Sequence, residues 1–254
     1  MACRKQVPAR PRPSAELEVA CSSCGLRDLC LPVGFSDSEL RRLDGLVARR
    51  ATIARGAHLY RCGESFKAIY AVRTGFLKTR TLLANGREHI SGFQMAGDLL
   101  GLDGVGGERH TCDAVALEDC QVCVIPFNLL GQLSRDFPQL HKHVLKLMGR
   151  EIVRDRGVMM VLASMRAEER VAAFLLDLSR RLEARGFSGT SLLLRMTREE
   201  IGTHLGVTVE TVSRCFSKFD GDGTLAVRNR DVQILNPAAL EALLDGPSQA
   251  ALPA

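Results

Sequence analysis

A chain of 254 residues, 46% hydrophobic and 25% charged, has the make-up of an ordinary globular protein with material for one or two cores. Its formal charge of +5 permits nucleic-acid binding without requiring it; residues 165–254 hold 11 Lys+Arg against 12 Asp+Glu, so any DNA contact must rest on local placement of charge. No apolar run reaches the roughly 18 residues a membrane span needs and no apolar segment suits a secretory leader, so a cytoplasmic chain with no membrane partner is expected.

In a reduced compartment the nine cysteines are expected as metal ligands, redox groups or buried small hydrophobes, not as a disulfide framework. Residues 1–20 are basic and proline-rich at first, and read as a flexible tail. Cys21-x2-Cys24-x5-Cys30 follows, three thiols within ten residues, with Gly25 letting the backbone bend so that they converge on one centre. Spacing alone does not decide between zinc and an iron–sulfur cluster. The fourth ligand must come from downstream, where Cys62, Cys112, Cys120, Cys123 and Cys215 are the candidates.

Ser36 and Glu39 have the spacing of a capping box and open a short helix over residues 35–50, with Leu40, Leu43, Leu46 and Val47 as its buried stripe. Between residues 51 and 126 short β-rich runs (AHLYRC, AIYAVRT, FLKTRTLL, EHISGFQ, QVCVIPF) alternate with glycines, and Asn85-Gly86 marks a two-residue hairpin. Strands at this spacing predict a β-roll or jelly-roll barrel.

Pro138 opens a helix predicted to run to about Met165, roughly 40 Å long. Leu145, Met148, Ile152, Asp155, Met159 and Leu162 are spaced 3-4-3-4-3, a coiled-coil seam that most simply pairs with its own copy in a homodimer. Asp155 is the odd member: facing its copy it would make the dimer marginal, whereas a local rotation near Gly157 would release it to solvent. A second amphipathic helix follows in EERVAAFLLDLSRRLEARG, with Val171, Phe174, Leu175 and Leu178 inward.

Thr197 to Phe219 reads as two short helices joined by a tight turn. Thr197 and Glu200 form a capping box, Gly206 sits where the chain must turn with φ > 0, and Thr208 caps the second helix. Val212, Phe216 and Phe219 face inward, while Glu210, Ser213, Arg214 and Ser217 share the opposite face, a pattern suited to a recognition helix; an ordinary helical hairpin is the alternative. Local basic charge comes from Arg195, Arg198, Arg214 and Lys218. Strands at 225–228 and 232–235 complete a winged helix, and the tail beyond about residue 245 is expected to fray.

The fold class expected is therefore α+β: a flexible tail (1–20), a cysteine cluster and β-roll sensor domain (21–136), a dimerisation helix (137–165) and a winged helix-turn-helix domain (166–254). This order resembles the cyclic-AMP receptor and FNR superfamily of bacterial transcription regulators, and the cysteine cluster resembles its FNR branch of oxygen-sensing, anaerobic regulators. Cys21-x2-Cys24-x5-Cys30, FQMAGDLLGLD, ALEDCQVCVIPF, AEERVAAFLLDLSRR and the helix-turn-helix carry the resemblance. It implies a [4Fe–4S] cluster on Cys21, Cys24, Cys30 and Cys123, with Cys123 preferred over Cys120 because the motif ALExxxVCxIPF places the ligand there. Residues 120 and 123 of a strand also point to opposite faces. Cys62, Cys112 and Cys215 match no ligand position and read as packed thiols.

Leu102 and His110-Thr111 stand where cyclic-AMP receptors carry the Glu and Arg-Ser that hold the nucleotide, so no cyclic nucleotide is expected. The resemblance places Val209, Glu210, Ser213 and Arg214 on double-stranded DNA at palindromic half-sites like TTGAT, with Arg214 on a guanine and Glu210 on a cytosine amine. It makes Ile152 and Asp155 parts of a dimer switch, and a surface loop such as residues 84–88 a contact for RNA polymerase. A non-enzymatic regulator follows; a regulator of the same fold whose cysteines bind zinc or form a redox disulfide is the alternative.

Overall fold

The computed structural model describes residues 21–22, 24–26, 30, 35–44, 49–83, 85–136 and 138–244. The expected tails at 1–20 and beyond residue 245 lie outside them. The chain divides into two compact units, residues 1–153 and 154–254.

In the first unit α1 (Asp37–Asp44) begins as its sequence dictates. The Ser36 N–H donates to Glu39 Oε2 at 2.8 Å and the Glu39 N–H donates to Ser36 Oγ at 3.4 Å, satisfying two donors that the first turn leaves open. Leu40 is buried; the side chains of Leu43, Leu46 and Val47 lie outside the described set. The helix is shorter than expected. Arg49 and Arg50, assigned to it by helical spacing, belong instead to β1 (Arg49–Ile53), because pairing with a distant strand outweighs weak local propensity.

Seven more strands complete an antiparallel roll: β2 (His58–Tyr60), β3 (Ala68–Thr74), β4 (Leu77–Leu82), β5 (Glu88–Gln94), β6 (Leu99–Leu100), β7 (Asp113–Ala116) and β8 (Cys120–Pro126). They form two four-stranded sheets, ordered β1-β8-β3-β6 and β2-β7-β4-β5. The β4–β5 hairpin differs from the two-residue turn expected at Asn85-Gly86. The Leu83 N–H donates to the Arg87 carbonyl at 2.8 Å, extending the ladder one step beyond the Leu82–Glu88 pair.

Strand alternation divides the apolar residues between two cores. Ile53, Val72, Leu77, Ala114, Cys120 and Val122 fill the interior between the sheets. Ile69, Ala71 and Ile125 point the other way, against Leu40 of α1, Leu130 of α2 (Phe127–Asp136) and Leu140 of α3 (Pro138–Ser164). The α2 helix was not anticipated. The α3 helix begins and ends within a residue of expectation.

The second unit starts within α3 and holds α4 (Ala167–Glu183), β9 (Ser191–Leu193), α5 (Arg198–Leu205), α6 (Val209–Gly221), β10 (Leu225–Arg228), β11 (Asp231–Ile234) and α7 (Pro237–Leu244). Val171, Leu175 and Leu178 are buried as expected, whereas Phe174 is half-buried with its ring edge-on to His204. The wing is a three-stranded sheet, β10-β11-β9. Its second strand starts one residue earlier than expected: Asn229 takes a left-handed φ of 57°, so two residues suffice for the turn. The unforeseen α7 packs on α4 through buried Leu240. Arg170 donates to the carbonyls of Leu162 (2.8 Å), Met165 (2.9 Å) and Leu205 (2.9 Å), using one guanidinium to satisfy helix-end acceptors and the segment between α3 and α4.

Candidate metal centre and nucleic-acid interface

The first unit places three of the four expected cysteine ligands, Cys21, Cys30 and Cys123, on one apolar face. Cys21 is buried in the core cluster beneath the first sheet, and Cys30 and Cys123 pack against that same cluster. Cys24 interacts electrostatically with both Cys21 and Cys123. The turn holding the first two thiols is shaped by its backbone and by Asp44, the last residue of α1. The Cys24 N–H donates to the Cys21 carbonyl at 3.2 Å, while the Asp44 carboxylate accepts from the backbone N–H of Cys21 and, at 3.2 Å, of Ser22. Cys120 lies in the other core, with its thiol donating to the carbonyls of Phe76 (3.2 Å) and Glu118 (3.1 Å). Cys112 and Cys215 are buried; Cys62 is half-buried, its thiol donating to the Thr111 carbonyl at 3.3 Å.

Two arginines flank the thiols. Arg50 of β1 is the direct register partner of Cys123 on β8, so both side chains leave the sheet on the same face. Arg73 sits at the irregularity in β3 between Val72 and Thr74. Arg50 Nε and Arg73 Nη1 are buried without a hydrogen-bond partner. Both guanidinium groups favour the Cys123 thiolate, and Arg50 favours that of Cys21. They lose to burial, which with Cys123, Asp44 and Cys24 pushes the Cys21 thiol up to about 12, and with Cys24 raises Cys123.

Among the described residues no three His, Cys, Asp or Glu side chains close on one point as a single bound ion would draw them. The donor set nonetheless fits an anionic thiolate-ligated group: it combines soft sulfur ligands, an apolar wall and two cationic donors lacking an acceptor. Asp44, Arg50 and Arg73 are the parts that sequence reasoning missed. Only the strand register reveals Arg50, since its local sequence reads as the end of a helix.

Inside the roll, His110, which stands near the position where cyclic-AMP receptors carry the Arg of their Arg-Ser pair, is a packed polar group. His110 is 3% exposed, stacks on Tyr60 at 3.8 Å between ring centroids, and meets Phe66 edge-on. Its Nδ1 lies 3.3 Å from Asp103 Oδ1. Burial works against the Asp103 charge, but the His110 ring, the Thr111 N–H at 2.7 Å and the Cys112 thiol hold the carboxyl below its usual range.

In the second unit the helix-turn-helix forms by the local chemistry its residues predict. The Thr197 N–H donates to Glu200 Oε2 at 2.7 Å and the Glu200 N–H returns to Thr197 Oγ1 at 3.1 Å. Gly206 caps α5 at φ 64° and ψ 33°, and Thr208 Oγ1 accepts from the Thr211 N–H at 3.2 Å at the start of α6. Gly202 was overlooked: a Cβ there would lie 2.7 Å from the Val207 carbonyl oxygen, so the turn folds against bare backbone.

Val212, Cys215, Phe216 and Phe219 are buried, leaving Val209, Glu210, Ser213, Arg214 and Ser217 exposed on one side of α6. The Glu210 carboxyl is held low by its own backbone N–H and the Thr208 hydroxyl, keeping it an acceptor. Arg214 donates to Thr211 Oγ1 at 3.3 Å. Two of the basic residues expected to supply local charge also make contacts within the fold. Arg198 lies 3.4 Å over the Phe216 ring and donates to the Asn229 carbonyl, and burial pulls it down to about 10. Lys218 donates to Glu168 at 2.6 Å.

A β-roll followed by a long helix and a winged helix-turn-helix defines a DNA-binding transcription regulator rather than an enzyme. Residues 169–243 match the Crp-like helix-turn-helix domain, and residues 50–136 the cyclic nucleotide-binding domain. The chain is 42% identical to the fumarate and nitrate reduction regulatory protein of Salmonella typhimurium, over 89% of this chain and 90% of that protein. It is also 42% identical to the transcriptional activator protein Anr of Pseudomonas protegens, over 91% and 95%, respectively. Its structure is similar to that of FixK2 from Bradyrhizobium japonicum, with a TM-score of 0.71 and 30% identity, covering 76% of this chain and 96% of that one. The chain therefore belongs to the Crp/Fnr family of transcription regulators, among its FNR-like members. No described helix is long and apolar enough to cross a membrane.

Proposed function

We propose that this chain is a cytoplasmic, oxygen-responsive regulator of anaerobic genes, holding a [4Fe–4S] cluster on Cys21, Cys24, Cys30 and Cys123. The observation that carries the reading is the pair of buried, partnerless guanidinium nitrogens on Arg50 and Arg73 beside Cys21 and Cys123. A buried unsatisfied donor is costly, and a thiolate-ligated anionic group would relieve it. Bound there, the cluster supplies an oxygen-labile centre. The chain's own parts do the rest. Asp44 fixes the turn of the first two thiols to α1, and the apolar face shared by Cys21, Cys30, Cys123 and Leu140 connects the centre to the dimer helix.

Homodimerisation is read from α3, where Leu145, Ile152 and Met159 are 54%, 53% and 61% exposed at seam spacing, with Asp155 exposed among them. Two facing Asp155 carboxylates would hold pairing near its threshold. The exposed face of α6 then offers Arg214 to guanine and Glu210 to a cytosine amine, with Val209 and Ser213 on thymine edges, in FNR-like half-sites one helical turn apart. The packing of His110 against Tyr60 and Asp103 supports a roll that takes no cyclic nucleotide. The β4–β5 hairpin, where Leu82 is 66% exposed, is the expected approach of RNA polymerase.

The test is iron and acid-labile sulfide per chain after oxygen-free purification, with absorption and sedimentation measured before and after air. About four of each, bleaching together with loss of the dimer, is the expected result. One zinc per chain, or a metal-free chain with an air-stable dimer, would instead establish the zinc or redox-disulfide regulator.

A further inference from the structure

We infer that His143 is the positioning residue that ties the dimer helix to the third thiol of the centre. This rests on the proposed reading and names the contact through which that reading would act. His143 lies one turn into α3 and is 9% exposed. Its ring hydrogen-bonds the backbone of Cys30, while Nε2 is buried with no partner. With Nε2 unpartnered, Nδ1 makes the bond and donates to the carbonyl, which fixes the tautomer and ring orientation.

A lone polar ring with one orphaned nitrogen is a poor stabilising choice for this core: an apolar side chain would pack there without the desolvation cost. What the histidine supplies is direction. Its neighbours Val144 and Leu147 pack against the cluster that contains Cys21, and the seam residues Leu145, Met148 and Ile152, the first and last of them exposed, follow two, five and nine positions later on the same helix. At 1.5 Å per residue that is roughly 3 to 14 Å along one rigid element. A shift of the Cys30 backbone is therefore handed to α3 at its buried side, close to where the seam begins.

The experiment compares full-length protein with His143→Phe, which keeps the ring shape but removes the donor, and His143→Asn, whose amide places an N–H near the lost Nδ1. Each is purified without oxygen. Iron and sulfide content, the absorption spectrum, thermal stability and the monomer–dimer constant are then measured before and after air.

In the unsubstituted chain the dimer constant should weaken about 5- to 150-fold on aeration, the usual range for coupling between two sites. His143→Phe should retain its iron and sulfide yet change by less than about 2-fold, and His143→Asn should restore most of the response. A phenylalanine variant that switches normally would overturn the inference. So would one that loses its iron, or one that asparagine does not rescue, since either result reduces His143 to support for the ligand turn or to packing. An unsubstituted chain with no iron, or with a dimer indifferent to air, would sink the underlying reading before the variants are compared.

Discussion

Arg50 shows how a single misplaced donor can be informative. Its Nε is buried without an acceptor opposite Cys123, so in the metal-free chain the guanidinium is a liability. Replacing it with methionine should stabilise metal-free protein by about 1–3 kcal/mol, the cost of an unsatisfied buried polar group. The same change should reduce iron retained per chain. Denaturant unfolding of the metal-free form and iron analysis of the loaded form give the two signs independently. Asp103 gives a pH signature. Its folded pKa is depressed, so its stabilising contribution is full above the unfolded value, about 4, and is lost as pH falls from there through the folded pKa. Calorimetry should show Asp103→Asn flattening the acid limb of stability while costing most at neutral pH. In α6, Arg214→Ala should lose about 1–3 kcal/mol of discrimination at one base pair in a binding titration against substituted half-sites.

The helix-turn-helix is an element whose geometry leaves little freedom. Gly202→Ala would drive a methyl group to 2.7 Å from the Val207 carbonyl oxygen, and backbone cannot step aside as a side chain would. Thermal unfolding should show a loss of about 1–3 kcal/mol, as in other overpacked sites, with weaker DNA binding. Thr208→Ala removes a cap and should cost only about 1 kcal/mol. This element was legible because every signal in it is local: Thr197 to Glu200 and Thr208 to Thr211 are contacts across a single turn. The helix expected over residues 35–50 was misread at its end for the opposite reason. Arg49 and Arg50 pair with Val124 and Cys123, more than seventy positions away, and no local pattern announces such a ladder. The same limit hid the short strands β6 and β7, and α2 was lost at the Pro126–Phe127 boundary between a strand and a helix.

For the whole molecule, α3 concentrates the question of assembly. Asp155→Ala removes the proposed like-charge pair and should give a dimer that persists in air, read by sedimentation of aerated protein; monomer–dimer behaviour equal to that of the parent would remove Asp155 from the switch. Composition, the Cys-x2-Cys-x5-Cys spacing, the 3-4-3-4-3 seam and the paired caps of the helix-turn-helix were enough for the sequence by itself to determine the order of β-roll, long helix and winged helix, because each is a short-range regularity in chemistry or period. Tertiary structure alone decided that Cys21, Cys30 and Cys123 share one core face, that one guanidinium nitrogen each of Arg50 and Arg73 is buried near them without an acceptor, that Arg198 serves the fold, and that His143 reaches Cys30. Those outcomes depend on strand register and helix packing between residues far apart in the chain, and a charge or thiol takes its function from neighbours that only folding supplies.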